Sequence, residues 1–72
     1  MATDICTLLG GRIRQLRKAR GWRQIDLAEH SGINAVYISY IERGTKEICL
    51  RNLQVLAQTF EMTIRDLLKG VE

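Results

Sequence analysis

QIDLAEHSGINAVYISYIER, residues 24–43, is the stretch on which the fold turns. Ile25, Leu27 and Ala28 share one helical turn in Gln24–Ser31, and the run stops at Gly32. Asn34 is of the type that caps free helical amides, and Tyr37, Ile38 and Ile41 then recur on one face until Gly44. The pattern predicts two short helices joined by a tight turn. Its offsets have steric reasons: a small Ala28 lets the second helix cross closely, Gly32 five residues after Leu27 can take φ > 0, and Ile33, Ile38 and Ile41 anchor the second helix to a core. Its other face is then left to solvent or a ligand.

Outward from this hairpin, the apolar spacing continues to read as helix. On the N-terminal side, Thr3 or Asp4 can cap a helix of about residues 4 to 20 whose stripe is Ile5, Leu8, Leu9, Ile13 and Leu16. Gly10 and Gly11 are expected to weaken its middle by about 1 kcal/mol each relative to alanine, and Gly21 to end it. On the C-terminal side, Leu50, Leu53, Leu56, Ala57 and Phe60 form a fourth stripe. Thr63 with Asp66 resembles a capping box for a last helix carrying Ile64, Leu67 and Leu68. The expected architecture is all-α, five helices, without repeats or linkers, in one domain spanning 1–72.

Composition agrees. The 72 residues are 46% hydrophobic and 26% charged, with no proline and only four aromatic residues of the Phe, Trp and Tyr types, which suits a small helical globule and excludes disorder. The net charge of +3 is unevenly placed: six basic and no acidic residues lie between positions 12 and 23, against five basic and eight acidic elsewhere. One dozen residues therefore hold the whole positive excess, which reads either as a solvated helix face or as a footprint for phosphate.

Other chemistries find little support. Cys6 and Cys49 have no CxxC spacing, so reduced thiols are expected, with a single disulfide the alternative. Adding His30 gives three ligands at no metal-binding spacing, so neither metal nor cofactor is expected. No secretory h-region or membrane span is legible, which points to the cytoplasm. The arginines at 12, 14, 17 and 20 are spread rather than held on one face, against a membrane surface as partner. His30, Asp26 and Ser39 are the residue types of a triad, but a helical hairpin of this size offers no evident pocket, so no enzyme is expected.

The offsets from Gln24 to Ile41 are those of a DNA-binding helix-turn-helix, and the stretches IRQLRKARGWRQIDLAEHSGI and VYISYIERGTKEICLRNLQVLA resemble the Cro and lambda-repressor type, or XRE, family. Together they cover about residues 13 to 57, and FEMTIRDLLKG resembles the family's closing helix. The length and the tail beyond Gly44 look most like the controller proteins of restriction-modification systems, of bacterial or phage origin. The resemblance implies that Gln24 binds a backbone phosphate, that Asn34–Arg43 is the recognition helix in the major groove, and that Arg17 and Glu42 tie helix 1 to it by a salt bridge. Arg23, Arg43 and Lys46 are the further phosphate candidates.

Two departures from the family pattern are informative. Ala35 and Val36 stand where family members often place polar base readers, and they can offer only apolar contact to thymine methyls, predicting T-rich steps beneath them. Asn34, Tyr37, Ser39 and Tyr40 remain as polar readers, although Tyr40 can equally cover the core edge. Cys49 stands where the family commonly has a Ser or Thr cap, and a thiol caps poorly.

So small a reader needs a homodimer on a two-fold-related operator to gain specificity. Helices 4 and 5, about residues 48–71, hold apolar residues in excess of one short core, and Phe60, Ile64, Leu67, Leu68 and Val71 are the expected interface. The functional expectation is an autoregulating transcription factor that acts by occupancy, with RNA polymerase a candidate second partner. The competing expectation is an antitoxin-like module that binds a protein and holds DNA weakly, for which the apolar Ala35 and Val36 would also suit.

Overall fold

A computed structural model describes residues 3–72, and it contains five helices: α1 (Ile5–Ala19), α2 (Gln24–Ser31), α3 (Ala35–Arg43), α4 (Leu50–Thr59) and α5 (Ile64–Leu67). No strand occurs among the described residues. The expected order and number of elements are found, with boundaries shifted by about one residue where a cap takes the first position.

Four helices start on a side-chain acceptor. Asp4 Oδ1 accepts from Cys6 N at 2.8 Å, Asn34 Oδ1 from Val36 N at 2.8 Å and Thr63 Oγ1 from Asp66 N at 3.0 Å. Cys49 Sγ takes the same role for α4, accepting from Asn52 N at 3.4 Å. A thiol thus fills a hydroxyl's place, through a longer and weaker bond. Both cysteines are free, as expected for reduced thiols. The hairpin turn closes through Gly32, whose φ of 75° places it in the left-handed region and whose amide donates to Ala28 O at 2.8 Å.

The core lies where the helices converge. Ile13 from α1, Leu27 from α2, Ile38 from α3, Leu56 from α4, Phe60 just past it and Leu67 from α5 are all essentially removed from water. Each such side chain contributes about 1.5–3 kcal/mol over its exposed state, so every helix is fastened by at least one anchor. Phe60 and Leu67 were expected at a subunit interface, and here that expectation is corrected. Both are wholly buried within one chain, because one short core needs exactly such large residues to reach native density, and neither can also face a partner.

Gly10 is the second correction. It is buried where α1 crosses the C-terminal end of α3, and a Cβ built there would overlap the carbonyl oxygens of Ile41 and Glu42. The residue that looks like a helix weakness is what allows the two helices to touch. Gly11, by contrast, faces open space.

Candidate nucleic-acid interface

The site is organised by a carboxylate almost sealed from water. Arg17 Nε donates to Glu42 Oε2 at 2.7 Å and Arg17 Nη2 to Glu42 Oε1 at 2.9 Å, a two-pronged pair whose side chains are 9% and 3% exposed. Arg17 Nη1 also donates to Trp22 O at 2.8 Å, and Gln24 Nε2 donates to Glu42 Oε1 at 3.1 Å. This network joins α1, the start of α2 and the last turn of α3, and it holds α3 in one orientation. The bond to Glu42 raises the Arg17 guanidinium above its ordinary pKa against the opposing effect of burial.

With α3 fixed, its outer face is defined. Val36 is 60% exposed and Ala35 half-buried beside it in the first turn, so the apolar surface expected at the start of the recognition helix is present and accessible. Asn34 is exposed, but its oxygen caps Val36 N, which leaves its amide hydrogens as the free group. Tyr37 differs more from expectation. Its hydroxyl donates to Glu47 O at 2.9 Å and its ring packs on the core, so its proton clamps the α3–α4 loop and only its oxygen is left as an acceptor. Ser39 is half-buried toward a polar cleft.

Tyr40 does not join the core cluster. Its ring carries Arg43 Cζ at 5.1 Å and Lys46 Nζ at 5.8 Å from its centroid, so it acts as a platform that gathers two cations at the end of α3. Both cations are exposed. Arg23 is exposed too and pairs with Asp26 at 3.1 Å, which also accepts from the Arg23 backbone amide at 2.8 Å. These bonds hold the Asp26 carboxyl below its ordinary pKa and the Arg23 guanidinium above its own. Gln24, expected on a phosphate, is half-buried and gives one amide hydrogen to Glu42; its other amide hydrogen is uncommitted.

The basic cluster at 12–23 divides in a way that composition does not reveal. Arg12 donates to Leu67 O at 3.1 Å and Asp66 O at 2.9 Å, tying α1 to α5. Arg20 donates to Leu16 O and Phe60 O while its guanidinium lies over the Phe60 ring at 4.8 Å. Trp22 sits between Phe60 and His30, stacked on the latter at 4.2 Å. Three of the cluster's arginines, Arg12, Arg17 and Arg20, are thus structural. Only Arg17 was legible beforehand; the others bind backbone carbonyls, which any residue type supplies.

An exposed, rigidly seated helix flanked by cations, packed behind a second helix across a glycine turn, defines a helix-turn-helix protein of the Cro and lambda-repressor type. The helix-turn-helix family model (HTH_3) matches residues 13–67, and the chain belongs to this family of DNA-binding transcriptional regulators. It is 46% identical over 61 residues to the HTH-type transcriptional regulator DdrOP3 of Deinococcus deserti, covering 85% of this chain and 47% of that protein. The chain therefore spans about half the length of that relative. It is 33% identical over 69 residues to the control protein C.BamHI of Bacillus amyloliquefaciens, covering 94% of this chain and 85% of the other. The crystal structure of the restriction-modification controller protein C.AhdI from Aeromonas hydrophila superposes with a TM-score of 0.82 at 35% identity, over 86% of this chain and 94% of that one.

Proposed function

We propose that the protein regulates transcription as a homodimer that places α3 in the major groove of a two-fold-related operator. The observation that carries this reading is the accessible outer face of α3, with Val36 outward in its first turn, the Arg17–Glu42–Gln24 network fixing its last turn, and Arg43 and Lys46 gathered at its C-terminal end. Apolar Ala35 and Val36 meet thymine methyls, while the amide of Asn34 supplies a polar contact; Ser39 lies toward the polar cleft beside Gln24. Arg23, Gln24, Arg43 and Lys46 meet phosphates and set the register. The similarity to the control protein C.BamHI and the controller protein C.AhdI supports a regulatory role; the role proposed is autoregulation exerted by occupancy, with RNA polymerase as the second partner.

The second copy covers an apolar groove of about 360 Å³ between the start of α1, the α3–α4 loop and the C-terminal turn, lined by Ile5, Leu9, Ile48, Leu53, Leu68 and Val71. Ile5 is 62% exposed at its edge, and Leu50, 74% exposed, stands one turn before Leu53 on α4. Of the five interface residues expected from the pattern, Leu68 and Val71 line this groove, and Ile64 is half-buried on α5.

Selection of binding sites from a random-sequence duplex library tests the reading. The expected consensus is two-fold symmetric, with half-sites about one helical turn apart and T-rich steps in each. Val36→Arg is expected to replace a T-rich step with guanine, because a guanidinium pairs with guanine O6 and N7, at about 1–3 kcal/mol of discrimination per base. An unsymmetric consensus overturns the homodimer, and one that Val36→Arg leaves unchanged overturns the assignment of α3.

A further inference from the structure

We propose that Arg14 is a ligand of the DNA backbone, forming with Arg43 a two-cation cleft that seats one phosphate beside the start of α2. This rests on the DNA-binding reading above and adds a residue that neither the sequence pattern nor the resemblance singles out.

The cleft, about 260 Å³, is lined by Arg14, Arg17, Gln24, Ser39, Glu42 and Arg43. Arg17 and Glu42 neutralise each other across their two short bonds. What remains is the charge of Arg14 from α1 and Arg43 from the end of α3, with no carboxylate left to balance them. Arg14 is also set apart from its neighbours. Arg12, Arg17, Arg20 and Arg23 all donate to a protein acceptor, whereas Arg14 is exposed with no side-chain hydrogen bond or ion pair among the described residues. Two cationic side chains on the wall of one cleft, neither paired with a carboxylate, make that cleft a favourable seat for an anion.

Neutral donors complete the seat. The Ser39 hydroxyl and the uncommitted amide hydrogen of Gln24 border the same space. Gln24 is the first residue of α2, and the first amides of a helix have no intrahelical partner and favour an anion. A phosphodiester oxygen pair suits this set, since each guanidinium can present two parallel N–H groups to it. The seat lies at the C-terminal end of α3, away from Val36, so a phosphate held there fixes how far α3 enters the groove and carries no sequence information.

The test compares the salt dependence of binding to a short mixed-sequence duplex for wild type and single variants. Arg14→Gln is expected to lower the slope of log affinity against log salt by about 0.9, the loss of one phosphate contact, and to weaken binding to all sequences alike. Arg14→Lys retains the slope. Arg65→Gln, removing one exposed charge from α5 outside the cleft, is expected to leave the slope unchanged. A wild-type slope in Arg14→Gln, or an equal loss in Arg65→Gln, overturns the proposal. Absence of salt-dependent binding by the wild-type chain is a separate outcome, which overturns the DNA-binding reading itself. Unchanged thermal unfolding of Arg14→Gln shows that the fold is intact, as expected for a side chain without protein partners.

Discussion

Glu42→Ala is expected to destabilise the protein by about 3–5 kcal/mol, the range found when one partner of a buried ion pair is removed. The physical reason lies on the other side of the pair. Arg17 cannot lose its proton at any accessible pH, and with its side chain 9% exposed it cannot recover its hydration by swinging outward. Deleting the carboxylate removes the acceptor of both its Nε and Nη2, leaves it with Trp22 O alone, and strands Gln24 Nε2 as well. For a domain of this size, 1 kcal/mol corresponds to about 4–8 °C in Tm, so the variant is expected to melt tens of degrees lower or not to fold. Urea denaturation measures the change directly. The double variant Arg17→Met, Glu42→Leu is expected to recover most of the loss, because two apolar side chains of similar volume leave no charge to desolvate. A loss below about 1 kcal/mol for Glu42→Ala would mean that water screens the pair as it does at a surface. In the double variant, DNA binding is expected to remain weaker than stability alone accounts for, since Gln24 loses the carboxylate that orients it.

Gly10→Ala and Gly11→Ala are expected to change stability in opposite directions. Both glycines lie inside α1, where alanine is favoured by about 1 kcal/mol through backbone entropy alone. At Gly11 a Cβ meets nothing within 4 Å, so that gain is realised in full. At Gly10 the same methyl overlaps the Ile41 carbonyl oxygen and would lie 2.6 Å from the Glu42 carbonyl oxygen. Both are backbone atoms of the last turn of α3 and cannot step aside without moving that helix. Overpacking of this kind typically costs about 1–3 kcal/mol, and the rigidity of the neighbours places this case at or beyond the upper end. The displacement also presses on Glu42, so DNA affinity is expected to fall with stability in Gly10→Ala and to hold in Gly11→Ala. Thermal unfolding and duplex binding of the two variants check both statements. Stabilisation by Gly10→Ala would show that α1 and α3 separate at little cost.

Much of the fold was legible because the signals that define it are local. Asn34, Gly32, Thr63 and Asp4 act within a few residues of themselves, as caps or turn formers, and they stand in the structure where their spacing puts them. The Arg17–Glu42 pair spans 25 positions and was legible only through family resemblance, since nothing in helical periodicity links them. The candidate site was legible in outline and altered in detail. Tyr37 donates its proton to the loop carbonyl of Glu47, and Tyr40 carries cations instead of covering the core, because the path of the α3–α4 connection decides which groups each ring meets. Arg14 was indistinguishable from the other arginines of its cluster until the partners of those others were known.

The sequence by itself determined the helices, their order, the hairpin that presents α3 and the apolar character of that helix's first turn, since each depends on residue type and on separations of three to five positions. Only the tertiary structure decided which apolar residues fill the core and which remain for a partner. Phe60 and Leu67 went inside while Ile5 and Leu50 stayed out, although the four are chemically alike. It alone decided that Arg12 reaches a carbonyl 55 positions away and Arg20 one 40 positions away, and that Gly10 is a contact and Gly11 a gap. Burial, close approach and backbone acceptors are properties of how helices cross, and a crossing is fixed by the whole set of packed side chains at once.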